Sequence, residues 1–196
     1  FIQSMVPVIA EILDQYPASP VATLDNSLIS VSPQSTWMDT RFTPREGKPV
    51  EINALWIHAL KLAESLGVTP PVRVSSARME FKKFWNEESL CLYDLIDPVD
   101  SSLRPNQVIA LALGLVDHDQ ASAALTTITK TLLTPYGLRT LSPHDSRYQG
   151  CFNGDNSYHN GCVWPWLTGG YIDALIRNGM ARKEIIPLLL PVLAHI

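Results

Sequence analysis

The sequence lacks a cysteine framework, a basic stretch, a membrane-length apolar run and an Asn-x-Ser/Thr acceptor, and each absence removes a class of protein. The cysteines are only Cys91, Cys151 and Cys162, an odd number with no pair at metal-ligand spacing. A disulfide scaffold and a zinc site are therefore set aside, and no metal ion or cofactor is expected. The three read as free thiols of a reducing compartment, which points to a cytoplasmic protein. With 15 Lys and Arg against 19 Asp and Glu the formal charge is −4, and no cationic stripe offers itself to nucleic acid. A neutral substrate fits this balance. The longest apolar run, around Ile185 to Leu193, is interrupted by Pro187 and Pro191 and is too short to span a bilayer. The chain opens at Phe1 with neither an initiator Met nor a signal-peptide pattern and stops abruptly at Ile196, so a piece of a longer protein is expected. No repeat of solenoid length is visible.

What is present is a globular composition, 46% hydrophobic over 196 residues, enough for one domain with a sizeable core. Helical periodicity dominates. Ile2, Met5, Val6, Ile9, Ile12 and Leu13 recur at helix spacing until Pro17. Residues 21–31 read as extended around an Asp25-Asn26-Ser27 turn. Further helices are expected over 49–66, with Pro49 at the start and Gly67 at the end, and over 73–87. Residues 91–96 are strand-like. Helices follow over 105–115, 120–133, 159–178 and 182–194, with a polar loop over 136–157. About seven helices in series, with Trp, Arg, Asp and Asn concentrated in the connections, suit a helical toroid that collects its loops into a pocket at one end. The loops 32–48, 88–104 and 135–157 are expected to converge there.

Three segments carry chemistry. The first is Thr36-Trp37-Met38-Asp39, followed by Thr43-Pro44-Arg45 and the run from Gly47 to Trp56. A carboxyl buried beside an indole has a raised pKa and suits a general acid, so Asp39 reads either as that acid or as an ordinary turn or capping Asp. Glu51, in the first turn of a helix, is favoured in its ionised form and so reads as a binding residue, with a catalytic carboxylate as the fallback. The second segment holds Asp94, Arg104 and Asn106: either a fork of donors for sugar hydroxyls or a structural Arg–Asp pair. The third holds Asp145, then Tyr158-His159-Asn160-Gly161 and Val163-Trp164-Pro165-Trp166. Aromatic faces stack on sugar C–H groups, and planar polar side chains pair with hydroxyls. Trp37, Tyr158, Trp164 and Trp166 are candidates for that role, with one of Trp164 and Trp166 expected in a helix core. His159 has no second metal ligand at suitable spacing and reads as a hydroxyl-binding or structural histidine.

Taken in order, these segments resemble the glucosidase domain of glycogen-debranching enzymes, the amylo-α-1,6-glucosidase family. Phe84-Trp85-Asn86-Glu87 and Leu92-Tyr93-Asp94 look like family segments too. The resemblance implies an all-α (α/α)6 toroid, of which this chain is an incomplete portion. A β-rich domain would precede it and the final helices would follow. It implies hydrolysis of α-1,6-linked glucosyl branches on glycogen or a related α-glucan, with inversion, by a carboxylic acid and a carboxylate base about 6.5–9.5 Å apart. Asp39 is similar by position to the general acid, and the base is a Glu beyond residue 196. Such a fragment is expected to be inactive alone. The stretches from Asp39 to Thr43 and from Asp155 to Tyr158 are shorter than the family's. Two other readings stand beside it: another (α/α)6 glycosidase of glucoamylase or trehalase type, and a helical carbohydrate-binding domain without catalysis.

Overall fold

A computed structural model describes residues 2–194 of the chain. Helix α1 (Ile2–Gln15) leads through a short 3-10 turn into a hairpin of β1 (Ala22–Asp25) and β2 (Leu28–Val31). Asn26 and Ser27, both at positive φ, make the two-residue turn that matches the twist of the strands. Helix α2 (Val50–Ser65) follows the two-residue strand β3 (Lys48–Pro49). Pro49 is extended and immediately precedes the helix, and Gly67, at positive φ, lies just past its end. The buried face of α2, including Val50, Ala54, Ile57 and Leu60, has helical spacing and packs against α1, α3 (Val74–Phe81) and α4 (Gln107–Ala112).

The hairpin is fastened to α2 by one side chain. Asn53, fully buried, accepts from the Ile29 amide at 2.7 Å and donates to the carbonyls of Ile29 (3.0 Å) and Pro49 (2.9 Å). Both of its N–H donors and its oxygen are bonded to backbone, which offsets the cost of burying the polar group. Lys48 ties the hairpin to a second loop. Its ammonium lies 2.7 Å from Asp25 and 2.8 Å from Asp97, while β3 pairs with β6 (Leu95–Ile96).

Helix α5 (His118–Thr131), capped by the Asp117 carboxylate on the Gln120 amide, leads into a three-stranded sheet of β7 (Leu133–Thr134), β8 (Gly137–Arg139) and β9 (Val163–Trp164). Between β8 and β9 lies the single-turn helix α6 (Asp155–Tyr158), and α7 (Thr168–Arg177) and α8 (Arg182–Leu193) complete the described chain. Packing runs from α1 to α2, from α2 to α4, from α4 to α7 and from α7 to α8. The core lies along this arc, with Phe81, Phe84, Leu111, Leu132 and Tyr171 among its largest buried side chains.

An all-α description needs correction. Helix accounts for 46% of the chain, and four small antiparallel sheets punctuate it. The expected helix over 73–87 ends at Phe81 in a 3-10 turn, and β4 (Trp85–Asn86) pairs with β5 (Cys91–Leu92). The hairpin wins because the Asn86 side chain accepts from the amides of Glu88 and Ser89 and Leu90 takes a positive φ, closing a tight turn. The expected helix over 159–178 starts only at Thr168, since Gly161 sits at φ +149° and Trp164 pairs with Leu138. No described helix is long and apolar enough to cross a membrane.

Candidate active site

The three long connections meet at one end of the arc, and a buried ionic network holds them together. Arg45 is 4% exposed, Glu51 2%, Asp94 2% and Arg104 3%. The Arg45 guanidinium donates through Nε to Asp94 Oδ2 at 2.8 Å and through Nη2 to Asp94 Oδ1 at 3.1 Å. The same group grips both oxygens of Glu51, through Nη1 to Oε1 and through Nη2 to Oε2 at 2.8 Å. Burial alone would push this guanidinium down, but the charges and hydrogen bonds of Asp94 and Glu51 hold it above its ordinary value. One arginine thus clamps the start of α2 to the 88–104 loop, in the fork geometry that lysine cannot reproduce.

Asn106 passes the network on to the aromatic residues. Its amide donates to Asp94 Oδ1 at 2.7 Å, and its carbonyl accepts the Trp37 indole N–H at 2.8 Å. Arg104 fixes the third loop, donating to the carbonyls of Thr140 (3.1 Å) and His159 (2.5 Å) and to Asn160 Oδ1 (3.1 Å). Its buried Nε has no hydrogen bond and lies 3.8 Å from Asp94 Oδ2. Met38, fully buried, sets its sulfur against Arg104 and Asn106, so that Trp37 and Asp39 flank a buried anchor.

On this base stands an open aromatic face. Trp37 meets His159, Trp164 and Trp166 edge to face at 5.3, 6.1 and 5.0 Å between ring centres. Tyr158 packs on Trp164 at 4.7 Å and on Phe152 at 6.3 Å. Tyr158 and Trp166 are 37% and 49% exposed, and Trp37 and Trp164 are half-buried. Neither tryptophan of the pair lies in a helix core, contrary to expectation: Trp164 is on β9 with its N–H on the Tyr158 carbonyl, and Trp166 precedes α7.

His159 is enclosed, with Nδ1 3.1 Å from Thr43 Oγ1. Burial is the largest influence on its ring; Asp39 and Asp155 pull upward, Arg104 and Arg45 downward, and the pKa comes to about 4. A neutral imidazole fits this position. Between the ordinary pKa of about 6.5 and 4 the unfolded chain takes up the proton and the folded one does not. The stability His159 contributes is therefore present above pH 6.5 and lost as pH falls towards 4. Denaturant midpoints measured from pH 7 to pH 4.5 should decline less steeply for His159→Gln than for the natural chain. Parallel slopes would contradict this.

Gly161 explains how the His159 loop closes. A Cβ there would lie 2.1 Å from the Gln149 carbonyl oxygen, and φ is +149°. Only glycine lets residues 149 and 160 approach to their 2.7 Å backbone hydrogen bond.

Of the residues singled out in the sequence, Trp37, Tyr158, His159, Trp164 and Trp166 come together with Asp39 beside them. Asp39 is exposed, not buried under the indole as the pKa argument supposed, and its carbonyl holds Gln34 at 2.8 Å. Glu51, Asp94, Arg104 and Asn106 are sealed in: Glu51 and Asp94 share Arg45, Asn106 donates to Asp94, and Arg104 bonds to the third loop. Asp145 is elsewhere. It is paired with Arg147 at 2.7 Å, a contact that chiefly holds its carboxyl low, and Arg147 and Arg104 border a cavity of about 360 Å³. Arg45, Thr43 and Asn160 fall within the segments picked out in the sequence but were given no role there, and Phe152 was not singled out. Arg45 meets Asp94 across 49 positions, a separation with no local signal. Among the described residues, no cluster of three or more His, Cys, Asp or Glu could hold a metal ion.

The arc of helices that carries this site is found in known proteins. The fold is shared with an uncharacterized conserved protein from Thermus thermophilus, at a TM-score of 0.60 and 18% identity, over 78% of this chain and 39% of that one. It is shared equally with a GH63 mannosylglycerate hydrolase of the same organism, solved with glucose, at 0.60 and 17% over 78% and 38%. The GH63 neighbour is of the (α/α)6 type, and with the family match over the chain the class is that of a glycoside hydrolase-like protein.

More narrowly, the chain belongs to the family described as amylo-alpha-1,6-glucosidase, whose family model matches residues 1–196. The glycogen debranching enzyme of Saccharomyces cerevisiae is 35% identical over 88 residues, 38% of this chain and 6% of the yeast protein. The chain spans well under half of each of these relatives.

Proposed function

We propose that this chain forms one side of the active site of a longer glycoside hydrolase that removes α-1,6-linked glucosyl branches from glycogen or a related α-glucan, with inversion at the anomeric carbon. The observation that carries the reading is the placement of Asp39 next to an open face of four aromatic residues. The face gives glucosyl rings a stacking surface, and Asp39 gives the glycosidic oxygen a proton. Family membership and the match to the yeast debranching enzyme support the substrate class. In this reading Arg45, Asp94 and Asn106 hold Trp37 and Asp39 in place, while Tyr158 and Trp166 contact sugar. The base that activates water comes from a carboxylate outside these 196 residues, and the chain alone does not turn over. The setting is cytoplasmic, in line with three cysteines that are all unpaired.

The test is the anomer of glucose that the intact protein releases from a branched limit dextrin, followed by proton NMR before mutarotation. Inversion delivers β-glucose. Release of α-glucose would overturn the inverting mechanism. Turnover of α-1,4-linked chains or trehalose without turnover of branch stubs would replace the debranching reading with a glucoamylase- or trehalase-like one. Tight glucan binding with no hydrolysis would leave a binding domain.

A further inference from the structure

The buried network reaches Asp39 from one side only. Arg45 Nη1 donates to Thr36 Oγ1 at 3.1 Å, and the Met38 amide donates to the same hydroxyl at 3.2 Å. With the Met38 side chain fully buried, the backbone is fixed up to that residue. Asp39 itself is exposed, and an exposed side chain takes its aim from the backbone that carries it.

Gln34 ties down the other side. Its backbone N–H donates to the Pro44 carbonyl at 2.7 Å, and its side-chain Nε2 donates to the Asp39 carbonyl at 2.8 Å. One residue thus holds both ends of the segment 39–44. We propose that Gln34 is a positioning residue for the general acid, a strap that fixes the Asp39 backbone so that its carboxyl is aimed at the aromatic face. The role of Asp39 rests on the reading above; the role of Gln34 rests on two further observations.

The first is the conformation of Gln34. Pro33 and Gln34 form a turn, and Gln34 has a φ of 61°. A turn residue that follows Pro and takes a positive φ is ordinarily Gly or Asn, and a longer side chain there is strained. Such strain persists where the surroundings impose it, and it gathers at functional sites. Asn would serve the turn better. What Gln has beyond Asn is one methylene of reach, and that reach ends on the Asp39 carbonyl.

The second is the rest of the segment. The Thr43 amide donates to the Thr40 carbonyl at 3.0 Å, the two threonine hydroxyls lie 3.0 Å apart, and Thr43 Oγ1 is 3.1 Å from His159 Nδ1. His159 in turn meets Trp37 at 5.3 Å. The segment is therefore anchored to the aromatic face at Thr43, and Gln34 closes what would otherwise be its loose end at Asp39. Placement of this kind matters for rate, because a catalytic group displaced by about 1 Å can lose about 10²-fold.

The experiment measures kcat and KM of the intact protein on a branched dextrin and on an aryl glucoside with an acidic phenol, which needs little protonation. Gln34→Asn suits the positive φ and falls one methylene short of Asp39. Its melting temperature should equal or exceed that of the natural protein, while kcat on the dextrin falls about 10-fold with little change in KM. Gln34→Met, of similar length and without a donor, should lose as much. Both should lose far less on the aryl glucoside, and adding Gln34→Asn to Asp39→Asn should cost nothing more on the dextrin. Natural kcat for Gln34→Asn beside a slow Asp39→Asn would overturn the strap and leave the acid in place. Equal losses on the two substrates, or a further loss on top of Asp39→Asn, would overturn it too, since Gln34 would then act through the fold. Near-normal dextrin turnover by Asp39→Asn would remove the acid and the strap together.

Discussion

Asp39→Asn in the intact protein should slow glucose release from a branched dextrin by about 10²–10⁴-fold, the usual worth of a positioned general acid. Asparagine keeps the size and planarity of the side chain and removes the transferable proton. The residue is exposed, so the change leaves no buried group unsatisfied and the melting temperature should stay put. Asp39 also sits close enough to His159 for its charge to raise that ring's pKa, which places it beside the aromatic face and not out on a remote turn. A sharper readout comes from the leaving group. An aryl glucoside with an acidic phenol needs little protonation, so a lost general acid should matter far less for it than for the dextrin. Equal losses on both substrates would show that Asp39 positions sugar without donating a proton. Near-normal turnover of the dextrin would remove Asp39 from the mechanism.

The second large effect is on stability. Arg45→Met should destabilise the fold by about 3–5 kcal/mol, because it leaves Glu51 and Asp94 buried without their shared cation. Against a total stability of about 5–15 kcal/mol, this is enough to abolish folding or nearly so. Arg45→Lys should recover only part of the loss, since an ammonium is a point charge and the natural group reaches four carboxylate oxygens at once. Urea unfolding of the three forms decides it. A loss below about 1 kcal/mol for Arg45→Met would mean that water reaches the two carboxylates and that the clamp is not what joins the loops.

The sequence alone disclosed the helices whose apolar spacing is regular and whose ends carry Pro or Gly. Residues 49–66 and 182–194 were expected as helices, and the structure places α2 and α8 over almost the same spans. The Asp25-Asn26-Ser27 turn was legible for the same reason, since its chemistry is contained in consecutive residues. Aromatic and planar polar residues gathered in three connections also pointed to a shared end. The structure brings Trp37, Arg104 and Tyr158 there through bonds and ring contacts around His159. The short strands were not legible. Trp85–Asn86 and Val163–Trp164 are extended because of partners at 91–92 and 138–139, which local propensity does not see.

Only the tertiary structure decided which polar residues face solvent and which are sealed in. Glu51, Asp94, Arg104 and Asn106 are 2%, 2%, 3% and 0% exposed, while Asp39, Tyr158 and Trp166 are open. Spacing cannot sort an acid that grips a buried arginine from one that meets a ligand, because the arginine arrives from 49 positions away. Desolvation makes that distinction, and desolvation is fixed by what packs over a residue and not by its neighbours in the chain.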